Sequence, residues 1–132
     1  MTRMSALGAI VLSSHPIPTL AVTALSALLA AAFEVPFPEA VLVVVAVLLN
    51  QFSVGVSNDA IDVERDREAG RSDKPLVQGG VSIRLALAVA VTSGLLSVAL
   101  SLVVHPLTAL WQTVFLLAGW AYNAGVKATV FS

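Results

Sequence analysis

The sequence predicts an all-α fold, a polytopic bundle of transmembrane helices with about four spans. Three observations predict it. The 132 residues are 58% hydrophobic and only 11% charged, with a mean hydropathy of +0.92, whereas soluble domains carry about 25% charged residues. A chain this small could not hide so much apolar surface from water. Four apolar stretches approach the roughly 20 residues that a spanning helix needs. Finally, with four spans, every Lys and Arg falls on one side of the membrane.

The elements follow in order. Residues 1–14 carry one Arg and a short apolar run without a small-x-small cleavage site, which predicts a lead-in or interfacial helix rather than a secretory signal. Span one covers 17–35 and ends in the Pro-rich corner Val35-Pro36-Phe37-Pro38. Span two covers 39–58 and continues as a polar helix end. Span three covers 82–104, His105-Pro106 turns the chain, and span four covers 107–123. The short corners make antiparallel hairpins of consecutive spans. Residues 1–132 thus read as a single membrane domain.

Arg3, Arg65, Arg67, Arg71, Lys74, Arg84 and Lys127 are all the Lys and Arg in the chain, and the opposite corners hold Glu34, Glu39 and His105. An excess of Lys and Arg marks cytoplasmic loops. The expectation is a multi-pass membrane protein with both ends of the chain in the cytoplasm. The net charge of −1 gives no general attraction to nucleic acid, and the absence of cysteine excludes disulfides and thiolate metal sites.

Six of the eight acidic residues lie between 59 and 73. A solvated helix end is one account of them; their order supports another. In Asn58-Asp59-Ala60-Ile61-Asp62-Val63-Glu64-Arg65-Asp66, a turn of about 100° per residue puts Asp59, Asp62 and Asp66 within about 60° of one another. Glu64 and Glu68 point elsewhere. Like charges on one face repel, and a divalent cation would relieve that repulsion. Mg2+ bridges protein carboxylates to substrate phosphates. Gln51, Phe52 and Gly55 continue the face into the apolar span; helix packing and close approach of a ligand both account for them. Gly70 suits a helix stop and Pro75 discourages continuation, so Arg71 and Lys74 are displayed on a short loop beside the acids. Membrane anchoring or phosphate binding would use them there.

Asn58-Asp59-x-x-Asp62-x-x-x-Asp66 resembles the first aspartate-rich motif of the UbiA-type intramembrane prenyltransferases, and Gly70-Arg71-Ser72-Asp73-Lys74-Pro75-Leu76 resembles that family's next loop. The resemblance implies an amino-terminal part of a nine-helix bundle. It implies transfer of a prenyl group from a prenyl diphosphate to an aromatic or other lipophilic acceptor in the bilayer, with Mg2+ as cofactor. By motif match, Asp59, Asp62 and Asp66 would hold the metal. Asn58, Arg71 and Lys74 would lie at the diphosphate, with Tyr122 and Lys127 as further substrate contacts. Tyr122 and Trp120 would equally suit an interfacial aromatic belt. His15-Pro16 stands where the family has a basic residue before proline. No acidic residue follows Asp73, so the family's second aspartate-rich motif would have to come from a longer chain or from a second chain supplying the remaining helices. The alternative reading is a non-catalytic membrane module, or an inactive gene fragment, that retains one cation-binding helix end.

Overall fold

A computed structural model describes residues 4–126, and among them every regular element is helical. Helix α1 (Ala6–Ser13) leads into α2 (Pro16–Ala32), α3 (Phe37–Glu68), α4 (Ile83–Val104) and α5 (Pro106–Ala121), which continues as a π-type turn over Tyr122–Val126. The protein is a helical membrane bundle, as the composition and the four apolar stretches predict. Helices α3 and α4 are long and apolar enough to cross a membrane, and α1 with α2 would make a third, broken span bent by 61°. The fourth expected span is 16 residues in α5 and depends on the π-type turn for further length.

Each boundary has a local cause. Ser82 caps α4 by accepting the Leu85 amide at 3.2 Å, and His105 Nδ1 caps α5 by accepting the Leu107 amide at 3.1 Å. Pro36, Pro38 and Pro106 stand at or next to helix starts, where a missing N–H costs nothing. Helix α3 ends in a Schellman motif: the Arg71 amide donates to the Asp66 carbonyl (2.9 Å) and the Gly70 amide to the Arg67 carbonyl (3.1 Å). The motif needs a left-handed residue, and Gly70 supplies it at φ +69°. That is the helix stop expected from Gly70.

Helix α3 is the axis of the bundle. Its buried polar residues Asn50, Ser53 and Ser57 face α4, α5 and the π-type turn. Ser53 donates to the Ala90 carbonyl (2.6 Å) and accepts from Trp120 Nε1 (3.1 Å). Gln112 Nε2 donates to both the Ala46 carbonyl (2.9 Å) and Ser97 Oγ (2.8 Å). Asn123 Nδ2 donates to the Val54 carbonyl and to Ser57 Oγ, both at 2.9 Å. In a lipid solvent, packing and such interhelical hydrogen bonds drive helix association. The polar strip expected from Gln51 and Gly55 is therefore two strips. Asn50, Ser53 and Ser57 bind helices together, and Gly55 belongs to a different face.

That other face meets the break between α1 and α2. A Cβ at Gly55 would overlap the Ser14 carbonyl group, 2.6 Å from its carbon. The close approach for which Gly55 leaves room is made by the chain's own backbone. Helix α1 is accordingly no peripheral lead-in: Ala9 and Ile10 are buried with Val56, Ala60 and Val63 of α3, and with Leu76 and Val81 of the following loop.

Candidate functional site

The site is built one turn above Gly55. The Ser14 backbone is seated on Gly55, and the next residue, His15, adopts the left-handed conformation at φ 53°. Non-glycine residues are uncommon there, and His is among the more tolerant. This conformation ends α1 and lets Pro16 start α2. Four residues past Ser14 stands Pro18, which has no N–H to donate, and Thr19 Oγ1 donates to the Ser14 carbonyl at 2.7 Å. The His15 ring then reaches the acidic stripe of α3.

Asp59 receives it. The carboxylate is 3% exposed, and its Oδ1 accepts from His15 Nε2 at 3.0 Å and from Lys74 Nζ at 2.7 Å. Asn58 Nδ2 approaches the same oxygen at 3.5 Å. Lys74 is itself mostly buried, and the two residues after it, Pro75 and Leu76, are buried as well. The loop is thus pinned immediately beyond the lysine. Three separate pieces of chain (the α1–α2 break, α3 and the loop) converge on one carboxylate oxygen.

Further along the stripe, burial falls as α3 leaves the bundle. Asp62 is mostly buried and Asp66 partly so, and Arg65 Nη1 stands 3.4 Å from Asp62 Oδ1. Glu64, on the other face, is exposed and pairs with Arg67 at 2.6 Å. Arg71 forms a two-pronged pair with Asp73, Nε to Oδ1 at 3.0 Å and Nη2 to Oδ2 at 3.1 Å. That hydrogen bond holds the Asp73 carboxyl below its usual range and raises the Arg71 guanidinium, with a smaller contribution from Asp66 and Asp59. Both side chains are largely exposed, so the pair contributes little to stability.

The sequence-predicted residues are therefore only partly gathered. Asp59 and Lys74 are in direct contact beside Asn58, and Asp62 and Asp66 continue the same face. Arg71 lies next to this face but is turned to Asp73. Tyr122 is about half exposed on the π-type turn, and its neighbour Asn123 is the residue that touches α3, at Ser57. Lys127 lies outside the described residues. The residue that joins the constellation most directly is His15; its signal in the sequence is a polar residue before Pro16 at the entrance to an apolar span.

Beneath the pair lies an apolar cavity of about 370 Å3, lined by Ser14, Pro16, Leu20, Leu49, Phe52 and Ser93 among others. Ser14 and Pro16 flank His15, so the cavity adjoins the His15 end of the charged cluster. A slightly larger groove, about 420 Å3, lies at the far end of α2 and α3 among Ala and Val side chains, away from any charged group except at the corner.

Mg2+ suits part of the donor set. Asp62 and Asp66 offer carboxylate oxygens one turn apart at the bundle exit, which fits an ion held by one or two carboxylates together with water and phosphate. Among the described residues no group of three or more acids and histidines stands close enough to enclose a metal. Asp59 contributes to no such group; its Oδ1 is the acceptor of the lysine and the imidazole.

A family model described as "UbiA prenyltransferase family" matches residues 19–132. No curated protein and no solved structure matches the chain.

Proposed function

The chain belongs to the UbiA prenyltransferase family, and from that membership we propose that it binds a prenyl diphosphate at the cytoplasmic end of α3 for transfer to a lipophilic acceptor. The observation that carries the reading is the stacking of two environments. The charged cluster of Asp59, Lys74 and His15 stands about two turns of α3 beyond Phe52, which lines an apolar cavity of about 370 Å3, and the cavity residues Ser14 and Pro16 flank His15; Asp62 and Asp66 continue the charged face further along the helix. A prenyl diphosphate has the same two parts in the same order.

In this reading Asp62 and Asp66 would hold Mg2+. Bound there, the ion would neutralise charge on the departing diphosphate. Lys74 and Arg71 supply N–H donors for phosphate oxygens, and such charge-assisted bonds are short and strong. Arg71 would exchange Asp73 for the phosphate, an exchange made easy by the exposure of the pair. Pro16, Leu20, Leu49 and Phe52 would line the apolar chain and keep water from the allylic carbon. The carbon–oxygen bond to diphosphate breaks, diphosphate leaves with the electron pair, and a nucleophilic carbon of the acceptor forms the new bond and loses a proton.

We further propose that these residues form an amino-terminal part of the family's nine-helix bundle, with the second carboxylate cluster supplied outside them. Binding of a non-hydrolysable prenyl diphosphate analogue tests the reading. Asp62→Asn should remove the Mg2+-dependent part of binding while membrane insertion persists, and Glu64→Gln should change it less than twofold, within the effect of a surface charge. Equal damage from both substitutions would show that the acids act as a diffuse charge, and the reading would be lost.

A further inference from the structure

The two apolar cavities along α2 and α3 share no lining residue, yet they lie on the same helix faces. The inner one, about 370 Å3, is walled by Pro16 and Leu20 of α2 and by Leu48 and Phe52 of α3. The outer one, about 420 Å3, is walled by Ala27 and Ala31 of α2 and by Val41 and Val45 of α3, and it ends at Val35 and Phe37 of the Pro-rich corner. At about 100° per residue, the four α2 residues fall within about 60° of one another, and so do the four α3 residues. The same α3 arc leads on to Asp59. At the level between the cavities, Thr23 and Ala24 are the α2 residues nearest this face. Ala24 is small and exposed, and the Thr23 hydroxyl is already given to the Thr19 carbonyl at 2.7 Å. A hydrocarbon chain passing from one cavity to the other meets neither a bulky side chain nor a hydroxyl seeking a partner on α2.

We propose that the two cavities are successive parts of one track, and that the tail suited to it is a polyprenyl chain of about five isoprene units or more. The proposal rests on the prenyl diphosphate reading for the head group at the His15 end; the length comes from the seam itself. Pro16 to Ala31 is about 22 Å of helix rise, most of the roughly 30 Å of a bilayer's hydrocarbon core. The three backbone bonds of an extended residue span at most about 3.5 Å, so the four chain bonds of an isoprene unit span about 4.5 Å. A tail of two units therefore ends within the inner cavity, and a tail of about five reaches Ala31 and the corner. Ala27 and Val41 stand on opposite walls of the outer cavity and determine whether the longer tail can enter it. In lipid a tail gains packing contacts rather than escape from water, so the track selects by fit, and the position of the tail's far end is the direct readout.

The experiment uses the full 132-residue chain in lipid nanodiscs and prenyl thiolodiphosphates of two and of six isoprene units, each with a photoreactive diazirine at the far end of the tail. Binding is measured by displacement with inorganic diphosphate, and crosslinked residues are mapped by mass spectrometry. The two-unit probe should label the inner cavity around Leu20 and Phe52, and the six-unit probe the corner around Val35 and Phe37. Ala27→Phe should weaken the six-unit probe by about fivefold or more, the low end of what overpacking a filled contact costs, and should change the two-unit probe less than twofold. Val41→Phe narrows the track from the other wall and decides the case if Ala27→Phe fails to fold. Six-unit binding unmoved by both substitutions, or crosslinks of the long probe that avoid the corner, would overturn the track and leave the outer cavity to bilayer lipid. Labelling that inorganic diphosphate does not displace would defeat the head-group reading, while corner labelling by the long probe alone would still support the track. Absence of labelling by either probe would defeat both.

Discussion

Gly55 is the residue on which the geometry of the site turns. Any side chain there meets the Ser14 backbone, which cannot step aside as a flexible side chain can. Gly55→Ala should therefore push the α1–α2 break off α3, destabilising the bundle by about 1–3 kcal/mol, the usual cost of overpacking a well-filled contact. Thermal unfolding in detergent measures it. The displaced His15 should at the same time lose its contact with Asp59. A second expectation concerns Asp73. Its carboxyl sits below the usual range because Arg71 donates to it. A depressed folded-state value means that the pairing is present above the unfolded value and is lost as pH falls through the folded one. An NMR titration should place the Asp73 midpoint below that of an Asp in an unstructured peptide, and Arg71→Ala should return it to the ordinary range. The acidic stripe itself was legible because helical periodicity fixes directions: three aspartates at spacings of three and four must share a face. What periodicity could not show was which neighbour that face would meet. The Lys74–Asp59 pair spans 15 residues and the His15–Asp59 pair spans 44, and both depend on how the loop and the break fold back.

At the scale of the helix, α3 carries two kinds of polar side chain for two purposes. Asn50, Ser53 and Ser57 bind helices; Asp59 meets the break and the loop, with Asp62 and Asp66 further along the same helix face. Sequence reading assigned Gln51 to the inner strip because it lies seven residues before Asn58. The buried strip runs one residue earlier, through Asn50, and packing against α5 selects it. The helix boundaries were more legible, since Ser82, His105, Gly70 and the prolines act locally. The break between the lead-in of 1–14 and the span from 17 was legible too, at His15-Pro16; its seat on Gly55 was not, because that contact depends on how the chain folds back. Gln112 gives a test of the binding strip. Gln112→Leu removes donors to Ala46 and Ser97 and should cost about 1 kcal/mol, in the range of interhelical hydrogen bonds in membranes. Ser101→Ala, whose hydroxyl bonds only within its own helix, should cost less. Comparison of the two by unfolding in mixed micelles separates binding between helices from local effects.

For the whole molecule, the described Lys and Arg all lie between the last turn of α3 and the first turn of α4. Glu34, Glu39 and His105 mark the other end. The orientation expected from this asymmetry, with the α3–α4 loop in the cytoplasm, is open to cysteine labelling in whole cells. Ser72→Cys should resist an impermeant reagent added outside, and His105→Cys should react; the reverse pattern would invert the topology. Because no acid follows Asp73, the 132 residues alone should bind a diphosphate analogue but show no turnover of a prenyl diphosphate. Detection of released diphosphate above background would contradict that.

The seat of Ser14 on Gly55 also imposes a schedule. A nascent chain leaves the ribosome from its first residue, so the α1–α2 break emerges long before its dock on α3 exists. Until residue 59 has cleared the exit tunnel, His15 has no carboxylate to meet and the left-handed kink has nothing to hold it. The first helix must therefore wait beside the translocon, and α2 and α3 should enter the lipid as a hairpin rather than one after the other. Nascent chains stalled before Gly55 emerges should remain crosslinked to the insertion machinery through α2. Chains stalled after Lys74 emerges should have released it.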